Sequence, residues 1–110
     1  MNRIQKHLLH ILTFLLFSLL FACTTMQSSL ELQEGKRDFN TGYYKSAMRN
    51  LLPLASDGNR DAQYAVGYMY YYGYGVAQDT DVAYFWVKRS ADQHYEPAIK
   101  ALALMKSKKK

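Results

Sequence analysis

The run from Ala47 to Ala98, AMRNLLPLASDGNRDAQYAVGYMYYYGYGVAQDTDVAYFWVKRSADQHYEPA, decides the fold. Small and apolar residues recur in it at helical spacing. Ala83, Trp86, Val87, Ser90 and Ala91 form an i, i+3, i+4, i+7, i+8 stripe, Ala62, Val66 and Met69 a second, and Ala47, Leu51, Leu54 and Ala55 a third. Strand alternation is missing from every block. Asp57-Gly58-Asn59, Gly73-Tyr74-Gly75 and Gln93-His94 break the stripes, and Asn40-Thr41-Gly42 precedes them. The spacing predicts five helices, near 29–40, 43–56, 60–72, 79–93 and 96–107. Pro53 removes a backbone donor inside the second and should bend its last turn. Asp79 or Thr80 should cap the fourth. Loops this short make successive helices antiparallel neighbours.

The same stretch repeats itself. Ala47, Ala55, Gly58 and Ala62 return 36 residues later as Ala83, Ala91, His94 and Ala98. Small residues at matched places let helix axes approach, so one helix pair should pack on the next. A period of this size falls among helical solenoids, close to the tetratricopeptide length of about 34.

Together, Pro53 to Tyr70, Gly73-Tyr74-Gly75-Val76, Asp79, Ala83, Trp86, Ala91 and Gln93 resemble a Sel-one-like repeat over about residues 43–104. The resemblance implies an all-α fold: an antiparallel helix-pair (α/α) repeat, a short tetratricopeptide-like solenoid. It also implies that the first helix of each pair lines a concave surface. Where that family usually has glycine after the second helix, this chain has His94.

Ahead of the repeat, Arg3 and Lys6 stand without an acid in the first ten residues, and Ile11–Ala22 is apolar except for Thr13 and Ser18. A basic start followed by an apolar run is the order of a secretory signal, and the run is short of the about 20 residues a spanning helix needs unless Leu8, Leu9 and His10 are counted. Two readings stay open: a signal cleaved before Cys23, or a retained anchor. Leu20-Phe21-Ala22-Cys23 resembles the lipobox of bacterial lipoproteins, with Phe21 bulkier than usual there. That resemblance implies that Cys23 takes a diacylglyceryl group and its freed amine a further acyl chain, palmitate or similar. Several chains anchor stably, since each buried methylene contributes about 0.8 kcal/mol. Thr24 in place of an aspartate implies, by the same resemblance, an outer membrane. The expected organisation is a signal-peptide helix at 1–22, a lipidated tether at 23–29, the repeat domain at 30–107 and a basic tail at 108–110.

Charge says less than the total of +5 suggests. Arg3 and Lys6 lie in the leader and Lys106, Lys108, Lys109 and Lys110 at the far end, which leaves eight Lys and Arg against nine Asp and Glu in the helical body. A nucleic-acid partner would need a basic, aromatic-bearing face on the fold itself, so none is expected. The lysine tail reads as solvated, or as a contact for anionic headgroups.

Beyond Cys23 the expected mature chain has no cysteine, and its one histidine is His94. No nucleophile, base and orienting group can be assembled from these, so no enzyme, metal or cofactor is expected. His94 reads as a residue that tolerates left-handed backbone at a helix end. Gly73-Tyr74-Gly75 lacks the spacing and the preceding strand of a phosphate loop, and reads as a helix stop.

Tyrosine is the anomaly, with Tyr64, Tyr68, Tyr70, Tyr71, Tyr72 and Tyr74 in eleven positions. Ala62, Val66 and Met69 mark the core side of that helix, and Tyr64, Tyr68 and Tyr71 fall together on the other flank. One reading makes Tyr64, Tyr68, Tyr71, Tyr72 and Tyr74 a partner-binding surface of rigid rings with hydroxyl handles. The other makes Tyr64 and Tyr70 packing residues and the rest half-exposed rings. With roughly one full helix pair flanked by a divergent pair and a closing helix, an open end should remain for a partner or a second copy. The expectation is therefore an envelope lipoprotein, lipid-anchored through Cys23 and facing the periplasm, that holds a protein or peptide through the tyrosines. The alternatives are a structural or self-associating protein and, third, a cell-wall hydrolase.

Overall fold

A computed structural model describes residues 2–109. The first residue of the expected signal and the last lysine of the expected tail lie outside them. The helices are α1 (Arg3–Asn40), α2 (Tyr44–Ser56), α3 (Arg60–Tyr72), α4 (Thr80–Ala91) and α5 (Glu96–Lys108), with no strand among the described residues. The chain divides into two compact units, 1–30 and 31–110.

In the first unit every described side chain is exposed, Phe14 and Phe17 among them at 77% and 70%. By length and composition α1 carries a stretch long and apolar enough to cross a membrane, a property that an N-terminal signal shares. The signal-peptide helix and the helix expected near 29–40 run on as one helix, Arg3–Asn40. From Arg3 to Glu34 the sequence has neither glycine nor proline to stop it. The polar run after Cys23 stays helical as well. The hydroxyls of Thr24, Thr25, Ser28 and Ser29 donate to carbonyls three residues back, those of Phe21, Ala22, Thr25 and Met26, at 2.8–3.0 Å. Such back-bonding satisfies the hydroxyls inside the helix at a slight cost to it.

In the second unit, α2 and α3 bury the two stripes read from the sequence. Ala47, Met48, Leu51, Leu54, Ala55, Ala62, Val66 and Met69 form one core cluster, on which Leu32, Phe39, Tyr70, Tyr74 and Trp86 pack from the side. From α4 and α5, Ala83, Val87, Ser90 and Ala98 are buried.

Local chemistry sets the ends. Asn59 Oδ1 accepts from Ala62 N–H at 3.0 Å to start α3. Asp79 Oδ1 accepts from the N–H groups of Asp81 and Val82 to start α4, so Asp79 is the cap and Thr80 the first helical residue. Gly73 closes α3 in the left-handed region. The fourth helix stops at Ala91, two residues short of the expected bound, because Asp92, Gln93 and His94 turn the chain. Pro53 lies inside α2, which runs on to Ser56, and its carbonyl accepts from Asp57 N–H at 3.0 Å.

The internal repeat has a backbone counterpart. Gly58 has φ of 104° and His94, 36 residues on, is the one non-glycine residue described with positive φ, at 60°. Gly58 follows α2 and His94 follows α4, each turning the chain into the next helix, so His94 does hold left-handed backbone at a helix end, two residues past the C-cap Asp92.

Polar side chains that the periodicity does not reveal tie the pairs together. Gln63 is 1% exposed, and its amide donates to Ala55 O at 3.1 Å. Gln93 Nε2 donates to Gln63 Oε1 at 2.8 Å and to Gly58 O at 2.9 Å, while Ser90 Oγ donates to Arg60 O at 2.7 Å. No buried side-chain nitrogen or oxygen among the described residues lacks a hydrogen-bond partner.

The seam between α3 and α4 closes on Gly67. A Cβ there would meet Val87 Cγ2 at 2.7 Å and the backbone of Ala83 and Val87 at 3.1 Å. Only a residue without a side chain permits that approach.

Candidate functional site

The α3 register that buries Ala62, Val66 and Met69 turns Tyr64, Tyr68, Tyr71 and Tyr72 to the opposite flank. There they form one wall of a groove. Val87 of α4 is its floor, and Ala101, Leu104, Met105 and Lys108 of α5 form the facing wall. The space enclosed is about 340 Å³. A second cavity of about 200 Å³ adjoins it, bounded by Thr80, Tyr84 and Lys109 and sharing Tyr71, Met105 and Lys108 with the first.

The rings support one another. Tyr68 lies 4.6 Å from Tyr72 and 6.3 Å from Tyr64, and Phe39 braces it edge-on at 5.5 Å. Tyr71 and Tyr72 meet edge to face at 4.9 Å, and Tyr64 rests on Tyr95, itself under the Arg60 guanidinium at 5.6 Å. Such offset and edge-on contacts suit the ring quadrupole and stiffen the wall. Among the described residues the hydroxyls of Tyr64, Tyr68 and Tyr72 make no hydrogen bond within the chain, which leaves each able to donate and accept toward a bound group.

Burial, with the Tyr95 and Tyr72 phenols close by, raises Tyr64 above its ordinary 10.0. Burial and then the Tyr72, Tyr74, Tyr64 and Tyr44 phenols do the same for Tyr68. At the edge of the groove Lys108 Nζ donates to Tyr71 Oη at 3.2 Å and lies 5.7 Å from that ring's centre. The hydrogen bond, then the charge interaction with the same phenol, raises the Lys108 pKa.

Four of the five tyrosines expected to bind a partner thus stand together. Tyr74 backs them without lining the groove: past the Gly73 turn it stacks on Tyr72 at 5.5 Å and lies 6.1 Å from Tyr68, while its ring also stacks on Tyr44 at 4.5 Å and 14° and packs against the core. Tyr70 packs on the core cluster as well. The expected tail loses its first member, because Lys108 is the last residue of α5 and is bonded to Tyr71.

The α5 wall was not foreseen. Ala101, Leu104, Met105 and Lys108 fall at i, i+3, i+4 and i+7, so their common face was legible, but nothing in the spacing says that it meets Tyr71. Cys23, the expected lipid acceptor, is exposed on α1. No group of three or more His, Cys, Asp or Glu side chains gathers among the described residues. The groove offers rings, methylenes, neutral hydroxyls and one ammonium, which is chemistry for holding a ligand.

Residues 60–95 match the family model described as the Sel1 repeat, which spans α3, α4 and the turn into α5. That match is narrower than the 43–104 stretch over which the motifs show a likeness. No curated protein matches the chain. The chain is all-helical over its described residues, and the match to the Sel1 repeat covers 36 of its 110 residues.

Proposed function

We propose that this Sel1-repeat chain is a lipid-anchored protein of the bacterial envelope whose tyrosine groove holds a protein or peptide partner. The groove carries the reading. A concave surface with four clustered tyrosines, three of them with hydroxyls not used within the chain, and apolar walls has the make-up of a binding hot spot. The apolar helix α1 and the exposed Cys23 following its apolar run support anchoring, with the lipidated cysteine as the new N-terminus and an outer-membrane site facing the periplasm.

Affinity capture from membranes with the full-length protein tests the groove. Replacing Tyr68, Tyr71 and Tyr72 together by alanine should abolish recovery of a specific partner while helical circular dichroism is retained; recovery at the wild-type level sinks the proposal. Labelling with a palmitate analogue tests the anchor, since Cys23→Ala should lose the label and the lipid-dependent partition into detergent.

A second reading, self-association, draws on α5. Ile99 and Ala103 occupy the repeat positions of Gln63 and Gly67, which are buried in α3, yet both are exposed. Sedimentation separates the two, because a tight oligomer that needs Ile99 favours self-association.

A further inference from the structure

We infer that the groove's occupant is an acidic peptide: an extended segment of the partner that seats an apolar side chain among the tyrosines and lays an adjoining Asp or Glu side chain on Lys108. This deepens the reading of the groove as a partner site and rests on it.

Lys108 is where the two cavities meet. With Tyr71 and Met105 it borders both, so a chain passing from the larger to the smaller crosses its ammonium. Lys88 pairs with Asp92, Lys100 with Glu96 and Lys109 with Asp81, whereas among the described residues no carboxylate lies within ion-pair distance of Lys106 or Lys108, and of these two Lys108 is the one that borders the cavities. Its partner is a neutral phenol, which holds the ammonium against the apolar wall and leaves its charge uncompensated.

The rim of the two cavities therefore carries Lys108 and Lys109 against the single acid Asp81, and the charge complement is an anion. A carboxylate that takes over Lys108 gains a charge-assisted hydrogen bond at the exposed edge of the groove. The Tyr71 hydroxyl, released as acceptor, can then donate to the same carboxylate.

The backbone favours a side-chain carboxylate over a chain terminus. Both walls are helical, with their interior N–H groups spent in the helix ladders, and the end of α5 at Lys108 presents carbonyls rather than amides. A chain terminus would find no cradle of N–H groups. An Asp or Glu needs only the ammonium and the hydroxyl.

The test uses full-length protein in neutral detergent micelles and a mixed library of short acetylated, amidated peptides, with a parallel set left free at the C-terminus. Mass spectrometry reads the enrichment. Peptides with Asp or Glu beside a large apolar residue should be enriched roughly two- to fivefold over those with Asn or Gln. Lys108→Gln should erase the preference, and Lys108→Glu should turn it toward Lys and Arg. Apolar enrichment that depends on Tyr68 but shows no acidic preference, or a preference kept by Lys108→Gln, overturns the inference and leaves the groove reading standing. Enrichment confined to free C-termini overturns it in favour of terminus capture. Enrichment of no peptide, or one indifferent to Tyr68→Ala, removes the groove reading and the inference together.

Discussion

Gly67→Ala sets two magnitudes against each other. In an exposed helix interior this change stabilises by about 1 kcal/mol, because alanine has the better helix propensity. Gly67 lies instead in the α3–α4 seam, where the new methyl would stand 2.7 Å from Val87 Cγ2 and 3.1 Å from the Ala83 carbonyl oxygen and the Val87 nitrogen. Ordinary contact begins at 3.4 Å, so Val87 Cγ2 must retreat by 0.7 Å and two backbone atoms by 0.3 Å. Valine in a helix has essentially one rotamer, so it cannot swing aside, and α4 must move as a body. Overpacking of this kind costs about 1–3 kcal/mol, and the backbone contacts put this site in the upper half of that range. After the propensity gain, a net loss of about 1–2 kcal/mol remains, or about 5–15 °C in Tm for a domain of this size. Thermal circular dichroism of the full chain in micelles measures it. Val87 is also the floor of the groove, so partner capture should weaken in step. A Tm equal to or above wild type would refute the reasoning, since propensity alone predicts the opposite sign.

Two further outcomes follow from the turns and the polar clamp. His94→Gly should raise stability by about 0.5–1 kcal/mol, because glycine adopts φ of 60° without a Cβ penalty; a lower Tm in the same melt would mean that the His94 side chain does more than fill a turn. Gln63→Leu should cost about 1–2 kcal/mol in chemical denaturation, a moderate figure because Gly58 N–H still donates to Ala55 O. Adding Gln93→Ala should then cost less than it does alone, since the two amides share one hydrogen bond, and full additivity would contradict the clamp.

Whatever depends on residues within one or two turns of each other was legible before any coordinates. The stripes at Ala47, Ala62 and Ala83, the Asp79 cap, the Gly73 stop and the left-handed His94 all follow from helical period and terminal hydrogen bonding, both local properties of the chain. The tyrosine flank of α3 followed too, as the side opposite Ala62 and Val66. Helix contacts across the fold did not. Lys108 meets Tyr71 from 37 residues away, Gln93 meets Gln63 from 30, and Tyr74, past the Gly73 turn, stacks between Tyr72 and Tyr44 instead of lining the groove. Those meetings depend on how closely α3, α4 and α5 approach and at what rotation. The periodicity names which face of a helix is buried, and only the packed helices decide what that face, and the face left over, will touch.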